Sequence, residues 1–466
     1  MAKLRTRNAA LLAKVETTPG EFVAPSASTD GILVEGVTPS FRPQNTETDE
    51  VTGSLDGRGP IPGGLQCELS FSLYLKGSGT PGVAPEFAEL LRACGLAETV
   101  TLNTITGTTL SVTGGNTIED SGSGLAALTV GTVIHASGFA NAANNGEFVV
   151  TSSAAGSVGL AKVGGAAAGM TNETAGATVT LRYGIAGAAA TAGSTTAATL
   201  QSPFAATAGL YTGMPVLLSG NPAASRYAAL AGYSAGRVLT LTDLMGSALD
   251  TDTKASIPAN VRYVPASSSI PALSIEYYLD GLRWRLAGCK GSLSVEARSA
   301  GPWRANIRLA GMLVSKDDAA VPAVTYDGTR PGTFRNSAML MNRIPVSMET
   351  LSLDASMEMP FPPNPNQAEG FDPPEHVRRN LRGRIDPHLA LVATRDVFAA
   401  FRAGTEEIIH ARLLGGTAAN PGQRVGLTIP SAFYEGANPV DKQGLAAEDV
   451  GFFCRGQDAG AFLVFY

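Results

Sequence analysis

The sequence predicts a mainly β protein, and three observations carry that expectation. Charged residues make up only 16% and aromatic residues 6%, while 54 glycines and 28 prolines punctuate a chain poor in helix formers. Apolar and polar residues alternate over several separate runs, the period of a strand with one face buried and one wet. Near both ends of the chain, such a strand is followed by one short helical stripe and then by further strands. With 466 residues, more than one hydrophobic core is expected.

The clearest strand is Leu65 to Leu75, where Leu65, Cys67, Leu69, Phe71, Leu73 and Leu75 alternate with Gln66, Glu68, Ser70, Ser72 and Tyr74. Pro85 to Gly95 then sets Phe87, Leu90, Leu91 and Cys94 on one helical stripe, with proline at the start and glycine at the stop. From Leu273 the alternation resumes through Ile275, Tyr277 and Leu279. Asp280-Gly281 reads as a tight hairpin, and Leu282, Trp284 and Leu286 follow it. Leu293, Val295 and Ala297, then Ala305, Ile307 and Leu309, extend the pattern as a meander.

The last third repeats this order. Leu351, Leu353, Ala355, Met357 and Met359 alternate with polar residues, matching the strand at Leu65 in type and length. Thr394 is the expected cap of a helix carrying Val397, Phe398 and Phe401 and stopping at Gly404. Strands are expected at Ile408 to Leu414, Val425 to Ile429, Val450 to Cys454 and Phe462 to Phe465. Between the two units, about Thr101 to Pro265 is almost pure Gly, Ala, Thr, Ser and Val and carries its own duplication at an offset of about 82 residues. Gly131 to Gly138 aligns with Gly213 to Gly220, and the closing strand Thr178 to Leu181 aligns with Asn260 to Tyr263.

Composition and motifs argue against chemistry. The net charge of −6 is too small and too even for a nucleic-acid groove or a membrane-binding face. Cys67, Cys94, Cys289 and Cys454 stand far apart among apolar neighbours, with no C-x-x-C pair. His135, His376, His388 and His410 lack the spacing of a helix-borne metal pair. His135 and His410 fall inside strand patterns, and Asp386-Pro387-His388 reads as a turn entering a strand. No nucleophile elbow, P-loop or strand-borne G-x-G-x-x-G occurs. Glu406 and Glu407 are neighbours in a strand pattern and point to opposite faces. No catalytic, cofactor-binding or metal-binding residue is assigned, and no cofactor is expected. No stretch approaches eighteen uninterrupted apolar residues, so a protein that folds and stays in a cytoplasm is expected.

Two stretches exceed what a compact monomer needs. Pro43 to Pro60 is a long polar arm, and Pro360 to Pro374 a proline-stiffened one. Stiff arms lose less entropy on docking to a neighbour. The candidate subunit-contact residues are Arg42, Pro43, Asp49, Glu50, Asp56 and Arg58 on the first, and Phe361, Pro363, Pro365 and Phe371 on the second.

The opening Arg7 to Gly20, the helix Pro85 to Leu96, the Leu282 to Gly291 segment with its Ala-Gly-Cys-Lys-Gly turn, and the closing Lys442 to Leu445, Val450 to Phe453 and Phe462 to Tyr466 segments resemble the tail tube (major tail) proteins of long-tailed bacteriophages and prophages. Ser137 to Gly146 is similar to a module inserted into phage tail proteins. The resemblance covers most of the chain, through patterns of turns and strands without a chemical signature. It implies two tail-tube-type β-sandwich domains, each with one flanking helix, at 1–99 with 266–319 and at 320–466. Inserted β modules at 100–183 and 184–265 would point outward.

The function so implied is a structural subunit of the tail tube, with stacked rings forming the channel for DNA ejection. Two tube domains per chain imply a trimeric ring of pseudo-sixfold symmetry, with a hexamer as the alternative. The implied partners are further copies, stacked rings and the tape measure, tip and terminator proteins. DNA would pass without specific binding and no membrane would be involved, in a virion tail assembled in the host cytoplasm. A tube-tip or terminator ring, and an adhesive or glycan-binding β-protein, are the alternatives left open.

Overall fold

The computed structural model describes residues 3–51, 53–56, 58–220 and 226–466. The chain is mainly β, built from three sheets, one of them a closed barrel, with two short α-helices among the described residues. The first part supplies β1 (Ala9–Val15), β2 (Gly31–Ile32), β3 (Glu35–Pro43), β4 (Leu65–Tyr74), α1 (Ala88–Ala93) and β5 (Leu96–Thr101). A seven-stranded sheet follows, from β6 (Asn103–Gly107), β7 (Leu110–Thr113), β8 (Thr117–Asp120), β9 (Val133–Ser137), β10 (Gly146–Ala154), β11 (Ser157–Ala161) and β12 (Val179–Tyr183). The closed barrel holds β13 (Ile185–Gly193), β14 (Ala197–Leu200), β15 (Pro215–Ser219), β16 (Arg226–Tyr233), β17 (Val238–Leu241) and β18 (Lys254–Ile257).

The chain then returns to the first sheet through β19 (Asn260–Pro265), β20 (Leu273–Leu279), β21 (Leu282–Arg298) and β22 (Arg304–Asp318). It continues through β23 (Ala338–Met341), β24 (Ile344–Pro345), β25 (Met348–Glu358), β26 (Arg378–Pro387), α2 (Val397–Ala403), β27 (Glu406–Leu413), β28 (Val425–Lys442), β29 (Leu445–Cys454) and β30 (Phe462–Phe465).

One set of antiparallel pairings occurs twice in this large sheet. β1 pairs with β2 and β20, β20 with β21, β21 with β22, β22 with β4, and β4 with β3. In the same order, β23 pairs with β24 and β27, β27 with β28, β28 with β29, β29 with β26, and β26 with β25. The helices α1 and α2 follow β4 and β26. The pairings correct the alignment expected from sequence: the counterpart of β4 is β26, and the Leu351 strand corresponds to β3. The alternation of Leu381 and Ile385 against Arg382 and Arg384 marks β26.

The two halves share one sheet and one apolar core. The ladder from Leu293↔Ala355 to Arg298↔Thr350 joins β21 to β25, and Leu69, Ile307, Leu353 and Phe452 belong to the same buried cluster. Around α1, Phe87, Leu90, Leu91 and Cys94 are all buried, as their helical spacing requires. The Asp280-Gly281 turn has both residues at positive φ, 45° and 105°, the conformation that a tight hairpin demands. Beyond it, β21 is one long strand where separate strands were expected. The second helix is capped by Asp396, whose carboxylate accepts the Ala399 N–H at 2.8 Å, and not by Thr394. Asp386 and Pro387 end β26 instead of opening a strand.

The two inserted sheets have separate apolar cores and different topologies. The aligned segments at Gly131 and Gly213 lead into β9 and β15, but the expected last correspondence fails. β12 closes the first insert sheet, whereas β19 leaves the inserts and pairs with β5 and β30 in the large sheet. The inserts are anchored to the body by Arg424, whose Nη1 and Nη2 donate to the Glu147 carboxylate at 2.8 and 2.9 Å. Tyr227 of the barrel donates to the same carboxylate at 2.7 Å. One buried ion pair thereby ties β10, β16 and the body together.

Candidate assembly edges, arms and charged face

Eight strands run side by side in the order β3, β4, β22, β21, β25, β26, β29, β28. The row ends on two edges. Among the described residues, β3 pairs only with β4, and Gly436 to Lys442 of β28 pair only with β29. Unpaired strand edges present backbone donors and acceptors to any chain that can align with them. At the internal junction the stretch of β21 equivalent to this part of β28 is paired, because β25, the counterpart of β3, occupies it.

Both arms are hairpin excursions from equivalent places, one between β3 and β4 and the other between β25 and β26. In the first, Thr46 and Ile61 form an isolated bridge and Arg58 lies 3.1 Å from Glu50. Asp49 and Asp56 are exposed, and Val51 and Leu55 stand fully in solvent. Thr52 and Gly57 of this arm lie outside the described residues. In the second, Pro363 bridges Phe371, and Asn364 donates to Asp372 at 2.7 Å. Pro363 and Pro365 are exposed, while Phe361 and Phe371 are half-buried.

The structure brings the two arms together at their bases. Leu65 N donates to Glu369 Oε2 at 2.7 Å, and a Cβ on Gly64 would meet the Glu369 carbonyl at 1.8 Å and the Phe371 ring at 3.1 Å. Only glycine permits that approach. Arg42 turns back to Glu68 at 3.2 Å, and Pro43 pairs with Leu65 at the root of the first arm.

The exposed face of the eight-strand row is charged and internally matched. Glu68 receives Arg42 and Arg308, Arg304 lies 3.3 Å from Glu35, and Arg382 lies 3.1 Å from Glu435. Arg298 and Lys442 reach the two oxygens of Glu349 at 3.0 and 3.1 Å, Arg378 lies 3.7 Å from Glu358, and Arg384 pairs with Asp449. The Lys442 hydrogen bond holds the Glu349 carboxyl below its ordinary range. Exposed pairs of this kind contribute only about 0–1 kcal/mol each, so their main consequence is local neutrality. Glu296 and Asp354 on adjacent strands take no part in an ion pair among the described residues. Two shallow grooves of about 510 and 390 Å³ lie on this face, and Asp354 lines both. Sequence reasoning did not place these charges, because their pairing needs the strand neighbours and not the strands alone.

His135, His376 and Cys67 are more enclosed. Burial lowers His135 and His376, and His376 Nε2 bonds the Gly291 carbonyl at 2.8 Å. Burial also pushes the Cys67 thiol up to about 11. Among the described residues, no group of three or more His, Cys, Asp or Glu side chains could hold a metal ion. No helix among them is long and apolar enough to cross a membrane.

The chain is a mainly β, multi-sheet protein with two unpaired strand edges among its described residues. No protein-family model matches the chain, and no curated protein matches it.

Proposed function

We propose that the chain is a structural subunit of a bacteriophage tail tube, with two tube-type units per chain, as its sequence resemblance implies. The observation that carries this reading is the repeated pairing scheme with its one internal junction. β21 and β25 join two equivalent four-strand groups, and the same two kinds of edge are left free at β28 and β3. A second copy that places its β3 beside Gly436 to Lys442 repeats the internal junction between molecules. Such an interface is head to tail, and a rotation that closes yields a ring. Three copies give six equivalent units. The charge-matched face then lines the channel, where neutralised arginines offer passing phosphates little attraction, and the arms reach towards the next ring.

Asp441→Pro tests the edge by removing a backbone donor from the free side of β28: the two-residue turn at Gln443-Gly444 makes Lys442 and Leu445 the hydrogen-bonded pair, so the Asp441 N–H faces away from β29. Sedimentation of the wild type should show a trimer or larger assemblies, and the variant should sediment as a folded monomer. Equal assembly by both proteins would reject edge pairing as the basis of the ring.

A further inference from the structure

The two repeats share their pairings but are covered differently. In the first, the tip of the β21–β22 hairpin is capped by the segment that precedes β23. Phe334 N donates to the Gly301 carbonyl at 2.7 Å, and Ala300 N donates to the Phe334 carbonyl at 3.0 Å. The Trp303 ring, fully buried, meets Phe334 edge to face at 5.4 Å. This cap adjoins the β21–β25 ladder, since Ser299 N donates to the Glu349 carbonyl at 2.8 Å.

In the second repeat the equivalent place is bare. Leu445, at the tip of the β28–β29 hairpin, is 58% exposed. Leu389 N donates to the Ala446 carbonyl at 2.9 Å and draws the β26–α2 loop alongside the tip. That loop and helix expose Leu391 at 82%, Val392 at 75% and Phe398 at 57%. Large apolar side chains gathered in this way mark a contact surface, whereas singly scattered ones do not.

The segment that precedes β1 stands where the capping segment of β23 stands. It comprises residues 3–8 and exposes Leu4, which lies ahead of β1 much as Phe334 lies ahead of β23. It is also basic, with exposed Lys3, Arg5 and Arg7, while the acidic Asp396 and Asp441 lie close along the chain to Phe398 and Leu445.

We propose that this patch is the seat of a second copy of the chain, whose residues 3–8 cap the β28–β29 tip with Leu4 over Leu445, as Phe334 caps Trp303 within one chain. The interface adjoins the free edge of β28 and rests on the tail-tube reading only in taking the second copy to be the next subunit around the ring.

Full-length protein carrying Leu4→Cys and Leu445→Cys, treated with a short bismaleimide spacer, tests it. The native cysteines are buried. The double variant should give covalent dimers and higher species on denaturing gels, and each single variant should give none. In a second experiment, Leu391→Glu should weaken assembly at least tenfold at unchanged melting temperature. A double variant that stays monomeric on the gel, or links only within one chain, while micrographs show closed rings, overturns the interface and leaves the tube reading intact. Cross-linked species that never close into rings support the interface and count against the tube.

Discussion

At the residue scale, one buried ion pair joins inserts and body. Arg424 is buried, and its bidentate bond to Glu147 satisfies a charge that the interior could not otherwise hold. Leaving one partner of such a pair unpaired costs about 3–5 kcal/mol. Glu147→Gln should therefore lower the midpoint of urea unfolding far more than Glu358→Gln, whose carboxylate makes only an exposed pair with Arg378. His410 offers a pH test. Burial depresses it from 6.5 to about 4, so the folded state holds it neutral where the unfolded state would bind a proton. Its contribution is fully present above pH 6.5 and is lost as pH falls towards 4, at no more than about 1.4 kcal/mol per pH unit. His410→Gln should flatten stability against pH over that window, and a slope equal to wild type would place its cause elsewhere.

At the element scale, local signals were legible and pairings were not. The alternation of Leu65 to Leu75, the stripe of α1 and the Asp280-Gly281 turn could be read because each is set by neighbours along the chain. The second helix was legible apart from its cap. Thr394 and Asp396 are both capping residues, and only the backbone geometry selects Asp396. Asp396→Ala should destabilise the protein by about 1 kcal/mol, and Thr394→Ala by much less, in thermal unfolding. β26 was missed because four positively charged residues interrupt it, and with it was lost the correct alignment of the two repeats. The arms were legible as long polar or proline-rich stretches, but their contact through Gly64 and Glu369 depends on chain segments some three hundred residues apart.

At the scale of the whole molecule, the proposed ring rests on a repeated pairing scheme with one junction filled and two edges free among the described residues. An edge left open in solution invites unspecific association, and natural sheets normally blunt it with charge, proline or cover. Pro39 and Arg42 on β3, and Pro439 and Lys442 on β28, supply such features without closing either edge. The charge-matched face was not legible at all, because ion pairs across strands follow from register. The most direct test is electron microscopy of the concentrated full-length protein, with rotational symmetry taken from end-on views. The account predicts tubes or stacked rings of three subunits showing six similar lobes. Monodisperse monomers under all conditions, or rings in which the two repeats occupy dissimilar places, would contradict it.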